Sequence, residues 1–508
     1  QVDSNNYPWL QANNRKRSDW TTHGELGNDG FDFTITSLND GTYQINPKFG
    51  HNKSVNYNNF YLDTGDPVSH WVLVPITKDG KTAYVIKCET TVMSSSGEEY
   101  LVTNQHTREL WQLVTKEERM ALLENATETS PQDVSWLIQD GDLWNQNERR
   151  SAWTFENSEG NIDNGGDTND DNSRGNRTWG GWNTRTISMT QIIENIPNGI
   201  YQLSCSGFYR DAHRNVEGYD RYINGTDGKY GFFFANDVEK ELKSIYSEAK
   251  DQTGEGFGFQ MVNGKCVPDA LDQVARVFSF GHYKNDPLIV IVTDGKLTIG
   301  GRKKDHGSQN GDWVFWDKFR LTYLGSADVN VVISNVATDG TNNYGTLYYS
   351  DRNLVAPEGI GAYTATVADG EVTLTKIEGA IPAGTGVVLK TDSKLEQATT
   401  FNFAVSSTAG TAATDNMLNG TDVQTEISGE GFKYYMLSLN GQGEENSVGF
   451  YWGKNSEGGT KLVNGAHKAY LAVPASKALA KGYPFGGDAT GIEGLNVNGD
   501  ENAAEGYD

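Results

Sequence analysis

The chain reads as an all-β protein assembled from several modules, and three observations predict it. From Trp313 to Tyr323, large apolar side chains fall on every second or third position with polar residues between them. That is the pattern of a strand with one buried face. Gly (58) and Tyr (24) are abundant and Asn-rich turns recur, as in folds of many short strands joined by tight turns. Only one stretch in the first part of the chain, residues 116–127, has helical character. The 508 residues exceed the roughly 250–300 at which a single core stops growing, so about three domains are expected.

Composition narrows the partners. A net charge of −25 and a pI near 4.7 would repel a phosphate backbone, so no nucleic acid is expected. Cys88, Cys205 and Cys266 form an odd set with no short-range pairing, which is not a disulfide framework. A Cys205–Cys266 bridge and three buried thiols both stay open. No apolar run reaches the roughly 18 residues of a membrane span. The chain starts at Gln1 without an initiator Met or an apolar leader, and it is read either as a mature form whose signal peptide has been removed or as a trimmed chain.

Taken in order, residues 1–115 carry a weak repeat. Phe31-Asp-Phe-Thr-Ile, Trp71-Val-Leu-Val-Pro and Trp111-Gln-Leu-Val-Thr stand 40 residues apart. An aromatic opening a short strand at such a period suits a β-trefoil, in which each lobe gives one bulky residue to a shared core. Trp71 and Trp111 are therefore expected in the core, and Trp9 and Trp20, outside the repeat, nearer the surface. The segment resembles the ricin-type trefoil domains. That resemblance implies a carbohydrate-binding ancestry, although the family's Asp and Gln sugar contacts have no clear counterparts here.

Thr115-Lys116-Glu117-Glu118 fits a capping box and starts a short linker helix, with Met120, Leu122 and Leu123 expected on one face. Residues 127–131 (TETSP) break it, so 116–130 is read as a helical linker.

Residues 131–325 are read as a β-sandwich. Pro287 to Gly300 reads as a hairpin turning at Asp294-Gly295. Pro197-Asn198-Gly199 is a turn, after which Tyr201, Leu203 and Cys205 alternate inward. Two long polar insertions interrupt the strands, Asn145 to Asn183 and Tyr209 to Tyr230. Loops longer than about 15 residues tend to be functional or disordered. Five pieces carry a resemblance: Val134-Ser-Trp-Leu-Ile-Gln-Asp, Ile196 to Arg210, Gly231-Phe-Phe-Phe-Ala-Asn, Ala275 to Tyr283, and Asp312-Trp-Val-Phe-Trp-Asp-Lys-Phe-Arg. In order and spacing they resemble the galactose-binding-like jelly rolls of multidomain surface proteins of glycan-degrading gut anaerobes. The same fold carries many roles.

Residues 327–487 are read as a small all-β accessory domain, with strands at Tyr344–Ser350, Ala362–Val367, Val448–Trp452 and Ala466–Pro474. It resembles modules appended to the same surface proteins, and no chemistry is assigned to it. Residues 488–508 are acidic, Gly- and Asn-rich and poor in apolar side chains, as in a flexible tail. In similar proteins such a linker leads to a short sorting or anchoring segment.

A neutral glycan presents apolar CH faces and hydroxyl edges, so its site needs exposed rings and hydrogen-bonding side chains. The insertions supply Trp153, Trp179, Trp182, Tyr219 and Tyr222 as platforms, with Arg210, Arg302 and Asp305 as hydrogen-bonding groups. The competing role for these aromatics is to pin long loops to the sandwich. The loop Gly301 to Asp312 is a candidate rim of the same site. Asp163, Asp167, Asp170 and Asp171 fall in one Asn/Gly-rich run whose carboxylates suit Ca²⁺, and the jelly-roll resemblance implies a structural ion of that kind. The spacing is not that of an EF-hand. GxSxG, HExxH and P-loop motifs are absent, and no local carboxylate motif marks a hydrolase.

The expectation is a non-catalytic, monomeric, secreted or cell-surface protein that binds a polysaccharide or glycoprotein glycan through its jelly roll. A glycoside hydrolase, or an accessory part of one, and an adhesin or scaffold are the alternatives.

Overall fold

The computed structural model describes residues 9–13, 23–27, 32–47, 54–57, 60, 68–78, 80–95, 101–103, 109–143, 153–158, 161–166, 177–211, 216–306, 311–439, 448–453, 456–478, 480–485 and 490–491. The chain is all-β and divides into two compact units, Gln1–Ser326 and Ala327–Asp508.

The first unit opens with two hairpins, Trp9–Asn13 with His23–Gly27 and Phe33–Ser37 with Tyr43–Pro47. A four-stranded meander from Val72–Lys78 to Leu101–Thr103 follows. The aromatic repeat has a structural counterpart. Trp71 exchanges backbone hydrogen bonds with Tyr43, and Trp111 does the same with Tyr84. Each indole is buried and donates to a backbone carbonyl, Trp71 to Val55 (2.8 Å) and Trp111 to Met93 (2.9 Å). Both rings join one core with Leu26, Ile45, Phe60 and Met93. Phe31 and Trp20 lie outside the described residues.

The capping box forms with both of its hydrogen bonds, and helix Lys116–Ala121 then tightens into a 3₁₀ turn, Leu122–Asn125. The change of pitch separates the predicted apolar face. Leu123 is buried and Met120 packs on the sandwich core, whereas Leu122 points to solvent. Arg119 lies over the rings of both Trp9 (3.9 Å) and Trp136 (4.1 Å), so Trp9 is half-buried against a cation.

The sandwich has two sheets. One is five-stranded and antiparallel: Thr154–Ser158, Thr186–Glu194, Lys296–Lys303, Gly231–Ala235, Val238–Glu241. The other runs Asn161–Gly166, Arg177–Trp182, Trp313–Gly325, Gly199–Arg210, Lys243–Ser244, with Leu288–Val292 and Gln132–Asp133 paired beside it. The near-alternation in Trp313–Gly325 now has a cause. Val314 and Trp316 face the inter-sheet core, and so do Phe319, Leu321 and Tyr323. The odd step between 316 and 319 is a bulge opposite Ser204–Ser206, with Lys318 at φ +51°. Without it, the second half of the strand would turn its apolar residues outward.

Three sequence expectations are corrected here. Leu288–Val292 and Lys296–Lys303 are not a hairpin, because they belong to different sheets. The Asp294-Gly295 turn is a corner between sheets, which lets Leu288, Val290, Leu297 and Ile299 all fill the one core. The region from Asn145 to Asn183 is not simply a loop. It supplies three strands, and Trp153 and Trp179 are inner-face residues of the sandwich. The Tyr209–Tyr230 region carries a helix, Val216–Ile223.

A third layer covers the outer face of the larger sheet. Helix Leu271–Ser279 and the segment around Ile245, Tyr246 and Phe257 pack on Phe208, Trp313 and Phe315. Cys205 lies in the inter-sheet core and Cys266 in this outer one; both are free thiols.

The second unit holds a three-stranded, a four-stranded, a six-stranded and a two-stranded sheet around cores that include Val387, Leu389, Tyr435, Phe450 and Leu471. Among the described residues no helix is long and apolar enough to cross a membrane.

Candidate ligand-binding rim

The register places the ends of six strands at one rim of the sandwich. On the larger sheet Trp182, Trp313 and Arg210 stand side by side; on the smaller, Ile187, Lys303 and Gly231 do. The connections here are the 183–185 turn, the 211–230 segment and the 304–312 segment.

Charge at this rim is organised in pairs. Lys303 and Asp312 are almost wholly buried, side chains 1% and 2% exposed, with Nζ 2.8 Å from Oδ2. The same ammonium donates to the backbone carbonyls of Thr184 (2.6 Å) and Arg185 (3.0 Å), so its three N–H groups all have acceptors. His306 Nε2 lies 3.0 Å from Asp312 Oδ2, and the imidazole stacks on Tyr230 at 4.2 Å. Burial, with the carboxylate of Asp312 beside it, drives the Tyr209 phenol well above its ordinary pKa. Asp312 Oδ1 is buried with no hydrogen-bond partner among the described residues.

On the outer face, Arg210 bonds Asp269 Oδ1 (3.1 Å) and the Gly311 carbonyl (3.1 Å), with its guanidinium over Trp313 at 4.9 Å. Helix Leu271–Ser279 anchors Asp269, whose amide donates to Gln273 Oε1 (2.8 Å). At the surface, Arg185 Nε donates to Asp305 Oδ2 (2.7 Å). Trp182 shares the face of Trp313 and is 39% exposed. Two strand spacings, about 10 Å, separate it from Arg210.

Of the residues singled out in the sequence, Trp182, Arg210 and Asp305 meet at this rim. Arg210 is engaged from behind, by an ion pair and a carbonyl, and is 3% exposed; it braces the rim rather than reaching out from it. Trp153 and Trp179 are corrected: they are 4% and 3% exposed. Trp153 donates to the Gln139 carbonyl and packs on Phe319, and Trp179 lies between Phe155 and Trp316. Neither can stack on a ligand. Arg302 sits on the solvent face of the five-stranded sheet, over the Phe234 ring and 3.5 Å from Glu239. Tyr219 and Tyr222 lie on helix Val216–Ile223 and pack against Tyr246.

Asp163 stands in a strand opposite Gly180, not in a loop, and Asp167, Asp170 and Asp171 lie outside the described residues. Among the described residues no three His, Cys, Asp or Glu side chains are grouped to hold a metal. Sequence reasoning missed Lys303, Asp312, His306 and Asp269. The only signal was the charged run of the Gly301–Asp312 loop, in which a buried lysine looks like its exposed neighbours.

No protein-family model matches the chain, and no curated protein matches it. Among solved structures, TmCBM61 in complex with β-1,4-galactotriose aligns at 14% identity, over 34% of this chain and 88% of that one, with a TM-score of 0.18. At that score the likeness carries no weight for ligand or mechanism.

Proposed function

We propose that the chain is a non-catalytic carbohydrate-binding protein whose sandwich takes a neutral glycan at the loop rim. The observation that carries this reading is Trp182, an exposed indole beside an immobilised charged rim. A flat ring offered to solvent suits the CH face of a sugar, and the exposed Arg185–Asp305 pair offers donors and acceptors to its hydroxyls. At the rim, binding is favoured over hydrolysis because Asp269, Asp305 and Asp312 are each paired with a cation, which favours the ionised carboxylate over the protonated acid a hydrolase needs. A shallow site of this kind binds weakly at each contact.

Secretion or surface display and a monomeric state belong to the same reading. So does a structural Ca²⁺ on the segment holding Asp163, Asp167, Asp170 and Asp171, a donor set whose chemistry suits that ion. The test is affinity electrophoresis of the full chain against a panel of neutral polysaccharides, with and without EDTA. Retention by one class, lost in Trp182→Ala, is the expected result; a variant retained like the parent overturns the rim as the site. Retention unchanged by EDTA removes the calcium.

A further inference from the structure

A cleft of about 570 Å³ opens on the flank of the sandwich away from Trp182, between the helix bearing Tyr222 and the edge strand Val238–Glu241. That volume lies within the roughly 300–1,000 Å³ of small-molecule sites. Its ammonium groups are already engaged. Lys229 pairs with Glu241 (3.4 Å), Lys243 with Glu248 (3.0 Å), and Lys240 donates to the Pro287 carbonyl (3.3 Å). An anionic ligand therefore meets no unengaged cation among the described lining residues. Two lining carboxylates, Asp227 and Asp286, are in the opposite condition. Neither makes a hydrogen bond or ion pair with any described residue.

Those carboxylates, Asp227 half-buried and Asp286 exposed, offer acceptors that no described side chain occupies, and the Tyr222 ring lines the cleft with them. The wall is braced. Asp211 Oδ2 accepts from the Gly228 amide (2.7 Å) and pairs with Arg221 (3.2 Å), tying the 225–229 turn to the helix. Acids and lysines in the lining nearly balance, so the cleft exerts little net pull on an ion of either sign. Donor-rich, uncharged and flat-faced is the description of a neutral oligosaccharide.

We propose that this cleft is a second carbohydrate site, with Asp227 and Asp286 accepting from sugar hydroxyls and Tyr222 packing on the ring face. It shares the ligand class of the rim reading and borders the rim at Tyr209 and the 211–230 segment, but it uses neither Trp182 nor the Arg185–Asp305 pair. Isothermal titration of the full chain with cellotriose, xylotriose, mannotriose and β-1,4-galactotriose tests it. The parent should show two binding events. Tyr222→Ala and the double variant Asp227→Asn/Asp286→Asn should each weaken one of them about tenfold or more, Tyr222→Phe should restore it, and Trp182→Ala should leave that event in place. The two carboxylates are not part of any core, and a matched thermal melt verifies that the amide variants fold. If the cleft variants titrate like the parent while Trp182→Ala loses binding, the cleft proposal falls and the rim stands. If only the cleft variants lose binding, the rim reading falls instead. A parent that binds none of the four sugars overturns both, and a cleft that takes spermidine but no sugar overturns the ligand class.

Discussion

The two rims of the sandwich are built on opposite plans. At the turn rim, residues 195–198 and 293–295 make the connections, the buried polar side chains are directed at backbone, and the Lys296–Glu194 ion pair (3.5 Å) is exposed. Tyr201 donates to the Pro197 carbonyl (2.7 Å), Tyr323 donates to the Asn198 carbonyl (2.9 Å), and the two rings pack at 4.9 Å. Asn198 Oδ1 accepts from the Gly295 amide, tying one turn to the other. At the loop rim the connections are longer, the polar groups are charged, and an indole faces solvent. The turn rim closes the fold and the loop rim offers a surface. Short turns satisfy their own backbone groups, whereas longer connections need side-chain partners and bring chemical variety with them.

Substitutions at each rim and in the core between them test that contrast. The largest effect is expected inside the sandwich. Trp179→Ala should cost about 3–5 kcal/mol by leaving a cavity between Phe155 and Trp316. Denaturant unfolding reads it, and a loss under about 1 kcal/mol would mean the ring is not a core residue. Asp312→Ala should cost a similar amount, about 3–5 kcal/mol, because it strands the Lys303 ammonium in a buried site. If Asp312→Ala and Lys303→Met proved equally mild, the pair would not be the brace described.

At the turn rim, Gly199 has φ +150°, and a Cβ there would sit 2.3 Å from the Gly325 carbonyl oxygen and 2.6 Å from the Tyr323 ring. Gly199→Ala should therefore lower stability by about 1–3 kcal/mol and leave carbohydrate affinity untouched. Lost affinity in a folded Gly199→Ala protein would blur the division between the rims. Trp182→Ala should show the reverse. Stability should stay within about 1 kcal/mol, while affinity falls by about 2 kcal/mol, roughly 30-fold. A destabilised variant would place Trp182 with the structural tryptophans.

The smallest effect sets the scale for exposed pairs. Hydrogen bonds from the Thr42 side chain and amide, together with His70, hold the exposed Asp40 carboxyl at about 2 instead of 3.8. A depressed carboxyl stabilises the fold above its ordinary pKa, and that contribution fades as pH falls from about 4 toward 2. NMR titration should give a midpoint near 2 that rises in Thr42→Ala. A midpoint at the ordinary value would remove the interaction.

Much of the architecture could be read from the residues before any coordinates. Period-2 patterning marked the long strand at Trp313–Gly325, and the Thr115/Glu118 box marked the helix start. The candidate site was less legible. Three tryptophans in one polar stretch looked alike, yet two are core and one is surface. Their fates depend on which sheet face each register position occupies, and a single-residue shift reverses that.

Local features follow from the chain alone: alternation, turn chemistry and helix capping. These need only neighbours in the chain. Tertiary structure alone decided that Leu288–Val292 and Lys296–Lys303 part into different sheets. It alone set Lys303 against Asp312, and it alone left Trp182 uncovered. Each of those outcomes joins residues that only packing brings together, because burial and charge pairing are properties of a surroundings that strand periodicity does not encode.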